Sequence, residues 1–354
     1  MSTRLLLLVT DLLIGGTPSV VRELAIRLKQ QGVDVEVACL AKWGPTADVI
    51  RDAGVPVTAF NARGAWDLGV ILRVGDFVQE HRIDVILSFL VHANVAAAFV
   101  HWRFPAVRVI QSIQTTQARP RWHWFAQRIA ARNAKLVVVG SPSTAQLAQA
   151  RSCISSTRLK VIPNAIDADA FSELHPPSLD GPTAKIGFIG RLDPIKRIGD
   201  LVAAMDLLGS GYELAIYGEG TERQAIESQI ARSALGRRVR LCGAVPRPQE
   251  ALAQIALLVL PSQAEGFGLV LIEAMAAGVP VVATDVPGIR DVVEHERTGI
   301  LVKAGDPQHL ADAIIRMRED KALRERLVNN AREMVRHRYA WPDVLAAYRT
   351  ALNV

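Results

Sequence analysis

The pattern that most restricts the fold is an alternation beginning at Leu5, in which short apolar runs are each followed by a stretch of helical periodicity. The runs are Leu5–Asp11, Asp34–Ala41, Val55–Ala62, Asp84–Leu90, Val107–Gln114, Lys135–Gly140 and Leu159–Pro163. Helices are predicted between them, over Ser19–Gln31, Pro45–Ala53, Asp67–His81, His92–Trp102, Pro120–Asn133 and Pro142–Arg151. Strands separated by helices in this way imply a parallel, doubly wound sheet.

At His175–Pro182 (HPPSLDGP) Pro, Ser, Asp and Gly gather, as in an interdomain linker, and then the same grammar restarts. The later strands are expected over Lys185–Leu192, Glu213–Tyr217, Val239–Cys242, Ala256–Leu260, Val279–Thr284 and Gly299–Val302. This gives two domains, 1–176 and 177–340, and the cleft between two such halves is a common place for a small molecule. Asp306-Pro307 opens a helix through Glu319, with Asp as N-cap and Pro at the first helical position. Another helix runs from Lys321 to about Val335, and Pro342 interrupts the helical pattern beyond it.

A chain of 354 residues, half of them hydrophobic, has the length for two cores. The formal charge of +6 suits an anionic substrate or an acidic membrane surface, but it is too diffuse to indicate nucleic acid. Cys39, Cys153 and Cys242 lie far apart and imply neither a disulfide framework nor a metal cluster, so a reducing cytoplasm is the default location. RLLLLVTDLLIGG reads as a first buried strand rather than a signal peptide, because Asp11 interrupts the run and no small-residue cleavage site comes after it. No apolar run approaches the roughly 20 residues that a transmembrane helix needs.

The chemistry concentrates in Pro261–Thr284 (PSQAEGFGLVLIEAMAAGVPVVAT). Ala256–Leu260 is the strand before it, Pro261–Gly266 the turn, and Leu269–Ala277 a helix stopped by Gly278. Glu265 and Glu273 therefore fall at the carboxyl end of a parallel strand, where ligands bind. Gly266, Phe267 and Gly268 offer backbone N–H groups at the positive end of the helix, which favours phosphate. Glu265 in that mouth must meet sugar hydroxyls or be balanced by cations, and Arg191 and Lys196 of IGFIGRLDPIKR are the candidates.

Glu265 and Glu273, separated by seven residues, with PSxxEGFG around the first and GxPVVAT after the second, closely resemble the EX7E signature of retaining GT-B glycosyltransferases of the family 4 type. The resemblance implies two Rossmann-like domains facing across a cleft and a nucleotide-diphosphate sugar as donor, with no other cofactor. It also implies that Trp341–Leu352 crosses back onto the first domain, and that Arg191 and Lys196, in the GRLxxxK match that begins at Gly190, face the diphosphate. Glu265 would orient the sugar, Glu273 would bond the ribose, and Leu269 would line the donor site beside Gly266, Phe267 and Gly268. Tyr217-Gly218-Glu219-Gly220 resembles the family's GxG turn, and Gly243-Ala244-Val245 the loop that meets the base. Gly15-Gly16 lacks the third glycine of a dinucleotide fingerprint; as a βα turn it needs no ligand, whereas the resemblance sets it against the donor phosphates.

VIPNAID resembles the family's IPNGVD, with Ala165 replacing glycine and Asn164 ordering a loop near the cleft. Gln114 stands where family members commonly carry histidine, and Gln114, His92 and Asn164 are candidates for sugar or acceptor contact. Asp167-Ala168-Asp169 spells the DxD of the other glycosyltransferase architecture, but an aspartate at a helix start explains it equally well, and no metal is expected. Arg119–Lys135 interleaves aromatics with arginines: either a packed helix with snorkelling arginines, or a surface for an anionic bilayer that would suit a lipid-linked acceptor and peripheral attachment to the inner face of the plasma membrane. The resemblance further implies an acceptor that is a hydroxyl of a glycan or lipid-linked sugar, in cell-surface glycan, polysaccharide or glycolipid synthesis. Two other readings of the same architecture are a nucleotide-sugar 2-epimerase and a non-catalytic nucleotide-sugar-binding subunit.

Overall fold

The computed structural model describes residues 3–64, 67–116 and 121–354. The chain divides into two compact units, one running to Asn164 and taking back Pro342–Val354, the other spanning Ala165–Trp341.

The first unit alternates β1 (Arg4–Val9), α1 (Gly16–Gln30), β2 (Asp34–Cys39), α2 (Pro45–Asp52), β3 (Val57–Ala59), α3 (Leu68–Glu80) and β4 (Val85–Phe89). It continues with α4 (Val91–Arg103), β5 (Arg108–Ile113), α5 (Arg121–Ala130), β6 (Leu136–Val139), α6 (Pro142–Ser152) and β7 (Leu159–Val161). All seven strands pair in parallel in the order β3-β2-β1-β4-β5-β6-β7. Leu5 to Val9 are fully buried because helices cover both faces of this sheet. Pro120, expected to open the fifth helix, lies outside the described residues, as does Arg119.

The second unit holds α7 (Ala168–Ser172), β8 (Ala184–Ile189), α8 (Ile198–Leu207), β9 (Tyr212–Tyr217), α9 (Arg223–Arg232), β10 (Val239–Gly243), α10 (Pro248–Leu252) and β11 (Leu257–Leu260). α11 (Leu269–Ala277), β12 (Val281–Thr284), β13 (Ile300–Val302), α12 (Pro307–Glu319) and α13 (Lys321–Arg338) complete it. Its six parallel strands run β10-β9-β8-β11-β12-β13. The chain returns through α14 (Trp341–Leu352), whose Tyr348 is fully buried. Within the first unit Arg108 donates to the Leu352 carbonyl at 3.1 Å, and Arg349 to the Gln31 side chain at 2.9 Å.

The division falls at Asn164, earlier than the expected 176/177 boundary. Ile166 and Phe171 already belong to the second core, and Ile166 N–H donates to the Tyr339 carbonyl. HPPSLDGP is accordingly no free tether. Arg324 Nη2 pairs with Asp180 at 2.5 Å, and Arg318 donates to the carbonyls of Gly181 and Pro182 at 3.1 and 3.3 Å.

Candidate functional site

In open parallel sheets ligands bind outside the carboxyl ends of the strands, where the strand order reverses. In the second sheet that reversal lies between β8 and β11, and the segments following these two strands carry Arg191, Lys196 and Glu265.

After β8, Gly190 leads into a 3₁₀ turn over Pro194–Lys196; after β11, Pro261–Gly268 leads into α11. The segments are joined by Gln263 N–H donating to the Ile195 carbonyl at 2.8 Å. Across this join Lys196 Nζ forms an ion pair with Glu265 Oε1, the two side chains only 16% and 13% exposed. Ser262, fully buried, donates to the same oxygen at 3.1 Å. The Thr284 hydroxyl donates to the Ser262 carbonyl, fixing the turn to β12. Shielded from water, the pair is strongly interdependent, since removing either partner leaves the other charge uncompensated. Arg191 is 62% exposed and pairs with Asp193 at 2.9 Å, so the two expected cations are unequal, one engaged with Glu265 and the other reaching into solvent.

The glycines about this point are set by close backbone approach. A Cβ on Gly218 would lie 1.8 Å from the Gly190 carbonyl oxygen, and one on Gly220 2.5 Å from that of Leu192. Leu192 N–H donates to the Glu219 carbonyl and Gly218 N–H to that of Gly243, so three strand ends are laced together. Beyond Gly243, Ala244 is exposed and Val245 packs partly against the core. Gly268, with φ 81°, caps α11; Leu269 begins the helix partly buried, and Glu273 is 9% exposed one turn further on.

Phe267, expected to offer its backbone N–H to a donor phosphate, turns its ring into the core, where it is 5% exposed and stands edge-to-face on Tyr339 at 5.5 Å. At this position only the backbone is left to meet a ligand. Sequence reasoning missed Gly288, whose φ is 88° and whose Cβ would lie 2.2 Å from the Glu265 carbonyl oxygen. Its only signal is the Pro-Gly pair in VPGIR, which marks a turn without saying what the turn abuts.

In the first unit the equivalent reversal lies between β1 and β4. Gly15, with φ 169°, has extended backbone that any residue adopts, and a Cβ on Gly16 would meet no protein atom within 4 Å. The turn is therefore not one that only glycine allows; what glycine provides at position 16 is open space beside a helix start. His92 lies in the first turn of α4, and Gln114 just past β5, its amide donating to the Ser112 hydroxyl at 2.7 Å. The Asn164 amide oxygen is buried without a hydrogen-bond partner among the described residues. The Asp167 carboxylate accepts from Ala170 N–H, as an N-cap does.

Residues 14–170 match the family described as Glycosyltransferase Family 4, and residues 172–334 that described as Glycosyl transferases group 1. The chain belongs to these glycosyl transferases, and its two parallel sheets are the GT-B fold. It is 34% identical over 164 residues to an N-acetyl-alpha-D-glucosaminyl L-malate synthase of Bacillus anthracis, covering 46% of this chain and 43% of that protein. It is 37% identical over 194 residues to a phosphatidyl-myo-inositol mannosyltransferase of Mycobacterium leprae, covering 52% and 50%. These matches span about half the length of each relative or less. Over 99% of both chains it superimposes on Anabaena Alr3699/HepE, solved in complex with UDP and glucose, with a TM-score of 0.89 and 22% identity, a likeness of fold.

Proposed function

We propose that this protein is a retaining, metal-independent glycosyltransferase that moves a sugar from a nucleotide-diphosphate sugar to a hydroxyl acceptor in cell-surface glycan, polysaccharide or glycolipid synthesis. The observation that carries the reading is the shielded Lys196–Glu265 pair at the reversal point of the second sheet, beside the amino end of α11. On this reading the acceptor hydroxyl attacks the same face of the sugar that the diphosphate leaves, and no enzyme nucleophile takes part. Lys196 and Arg191 stabilise the charge that grows on the departing phosphate, together with the backbone amides about Gly268 and at Gly16. Glu265, oriented by Lys196 and Ser262, accepts hydrogen bonds from the sugar, Glu273 bonds the ribose, and Gln114 positions a sugar hydroxyl.

α5 supports a partner as well. Its buried side carries Trp124, Gln127 and Ala130, while Phe125 and Ile129 are 64% and 49% exposed in a segment that also carries the exposed Arg121, Arg128 and Arg132. Apolar side chains flanked by cations suit an anionic bilayer, where a lipid-linked acceptor would lie, and this favours peripheral attachment to the inner face of the plasma membrane.

The test is incubation with a panel of nucleotide sugars in EDTA, with release of nucleoside diphosphate measured in the presence and absence of a hydroxyl acceptor. Acceptor-stimulated release in EDTA is expected. Consumption of the donor without transfer, yielding an epimerised sugar, supports the epimerase instead, and strict dependence on a divalent cation contradicts the metal-independent reading.

A further inference from the structure

The reversal point of the first sheet holds a ring cluster that the donor-side roles do not use. β4 passes into α4 through Leu90, whose φ of 71° and ψ of 158° are strained for a residue with a side chain. Such strain persists only where the surroundings impose it, and it gathers at ligand sites. The turn delivers His92, whose ring lies 5.5 Å from that of His123 and 5.7 Å from that of Trp122, edge-on to both. Nε2 of His92 is buried with no hydrogen-bond partner among the described residues. A buried polar nitrogen in that state is uncommon and marks a place for water or a ligand.

The helices carrying these rings are pinned from beneath by buried amides. Asn94 of α4 accepts from the Ser88 hydroxyl at 2.7 Å and donates to the Gln127 side chain at 2.8 Å and to the Ser112 carbonyl at 3.1 Å. Gln127 of α5 donates in turn to Gln111 at 2.8 Å, which donates to the Ala130 carbonyl at 3.0 Å. A connected buried network of this kind rigidifies what it holds.

Resting on the glycosyltransferase reading above, we propose that His92, His123 and Trp122 form a subsite for a neutral pyranose ring of the acceptor, with its hydroxyls bonded to the imidazoles and its C–H face on the indole. Burial holds both imidazoles below their ordinary value, and the neighbouring His92 adds to the effect on His123. A neutral imidazole donates at one nitrogen and accepts at the other, which matches a hydroxyl; a phosphate would call for the cation that burial disfavours. Trp122 is 40% exposed, and its ring lies 4.1 Å from that of His123, which keeps an apolar surface beside the imidazoles.

The test uses the full chain with ring-carbon-labelled histidine, the His92 and His123 resonances being assigned from His92→Gln and His123→Gln. It is titrated separately with the methyl α-glycosides of glucose, mannose, galactose and N-acetylglucosamine, with inorganic phosphate and with UDP. Both resonances are expected to move with at least one glycoside and not with UDP. Trp122→Ala and His92→Gln should each weaken that glycoside about tenfold or more while UDP affinity stays within about twofold, which also reports on folding. A response to phosphate alone, or to no glycoside, overturns the subsite. Glycoside binding without binding of UDP or any other nucleoside diphosphate leaves the subsite standing and removes the donor reading instead.

Discussion

Gly288 lies against the backbone of Glu265 so closely that a Cβ there would stand 2.2 Å from the Glu265 carbonyl oxygen and 3.1 Å from the Gly266 carbonyl carbon. The contact is with backbone, so a neighbouring rotamer change cannot relieve it, and φ at 88° adds strain for any other residue. Gly288→Ala should push the 262–268 turn out of place and lower turnover by about tenfold to a hundredfold through lost orientation. The check is steady-state kinetics beside a thermal melt. Unchanged turnover in folded protein would show that the turn tolerates the shift.

Gly16 gives the opposite case. No protein atom lies within 4 Å of where its Cβ would be, and its neighbour Gly15 is extended. Gly16→Val should leave the melting temperature within a few degrees of wild type, since surface substitutions of this kind cost about 0.5 kcal/mol or less. If the open space serves a donor phosphate, the same variant weakens nucleotide-sugar binding by about tenfold or more. Isothermal titration decides, and undiminished affinity removes Gly16 from the donor site.

The strand and helix alternation was legible because buried parallel strands need apolar runs, and those runs lie within a few residues of the observed strands. Lys196 and Glu265 could be named from motif and position, and the structure brings them together. The unit boundary could not be read locally: HPPSLDGP has the composition of a free linker, yet Arg318 and Arg324, more than 130 residues away, fasten it to the second unit. The burial of the Phe267 ring could not be read locally, because its partner, Tyr339, comes from just past the end of α13. Gly288 was silent for the same reason, since a turn's composition does not say which backbone it will press against.

That fastening has a measurable value. The Arg324 side chain is 9% exposed, donates to the carbonyls of Met317 and Arg318 at 3.0 and 2.7 Å, and pairs with Asp180. Arg324→Leu leaves both carbonyls and Asp180 without that partner and should destabilise the second unit by about 2 kcal/mol, a figure kept low because Asp180 is half exposed. Urea unfolding monitored by circular dichroism measures it, and a loss below about 0.5 kcal/mol would mean the clamp contributes little.

Stability should also depend on pH through the histidine pair. Burial lowers the folded-state values of His92 and His123 from the ordinary 6.5, so as pH falls through 6.5 the unfolded chain takes up protons before the folded one does. The stabilisation is therefore complete above 6.5 and is lost as pH drops through the folded-state values. Thermal melts from pH 8 to pH 5 should show a steeper decline for wild type than for the His92→Gln/His123→Gln double variant. Parallel curves would show that neither ring is held neutral by the fold.

The most direct test is proton NMR of the glycoside formed when wild type and Lys196→Ala transfer the sugar of an α-configured nucleotide sugar to a hydroxyl acceptor in EDTA. A retaining transferase gives an α-linked product, and the Lys196→Ala protein, still folded, should form it more slowly by about two to three orders of magnitude, as loss of one charge-stabilising donor implies. A β-linked product, or equal rates for the two proteins, would contradict this.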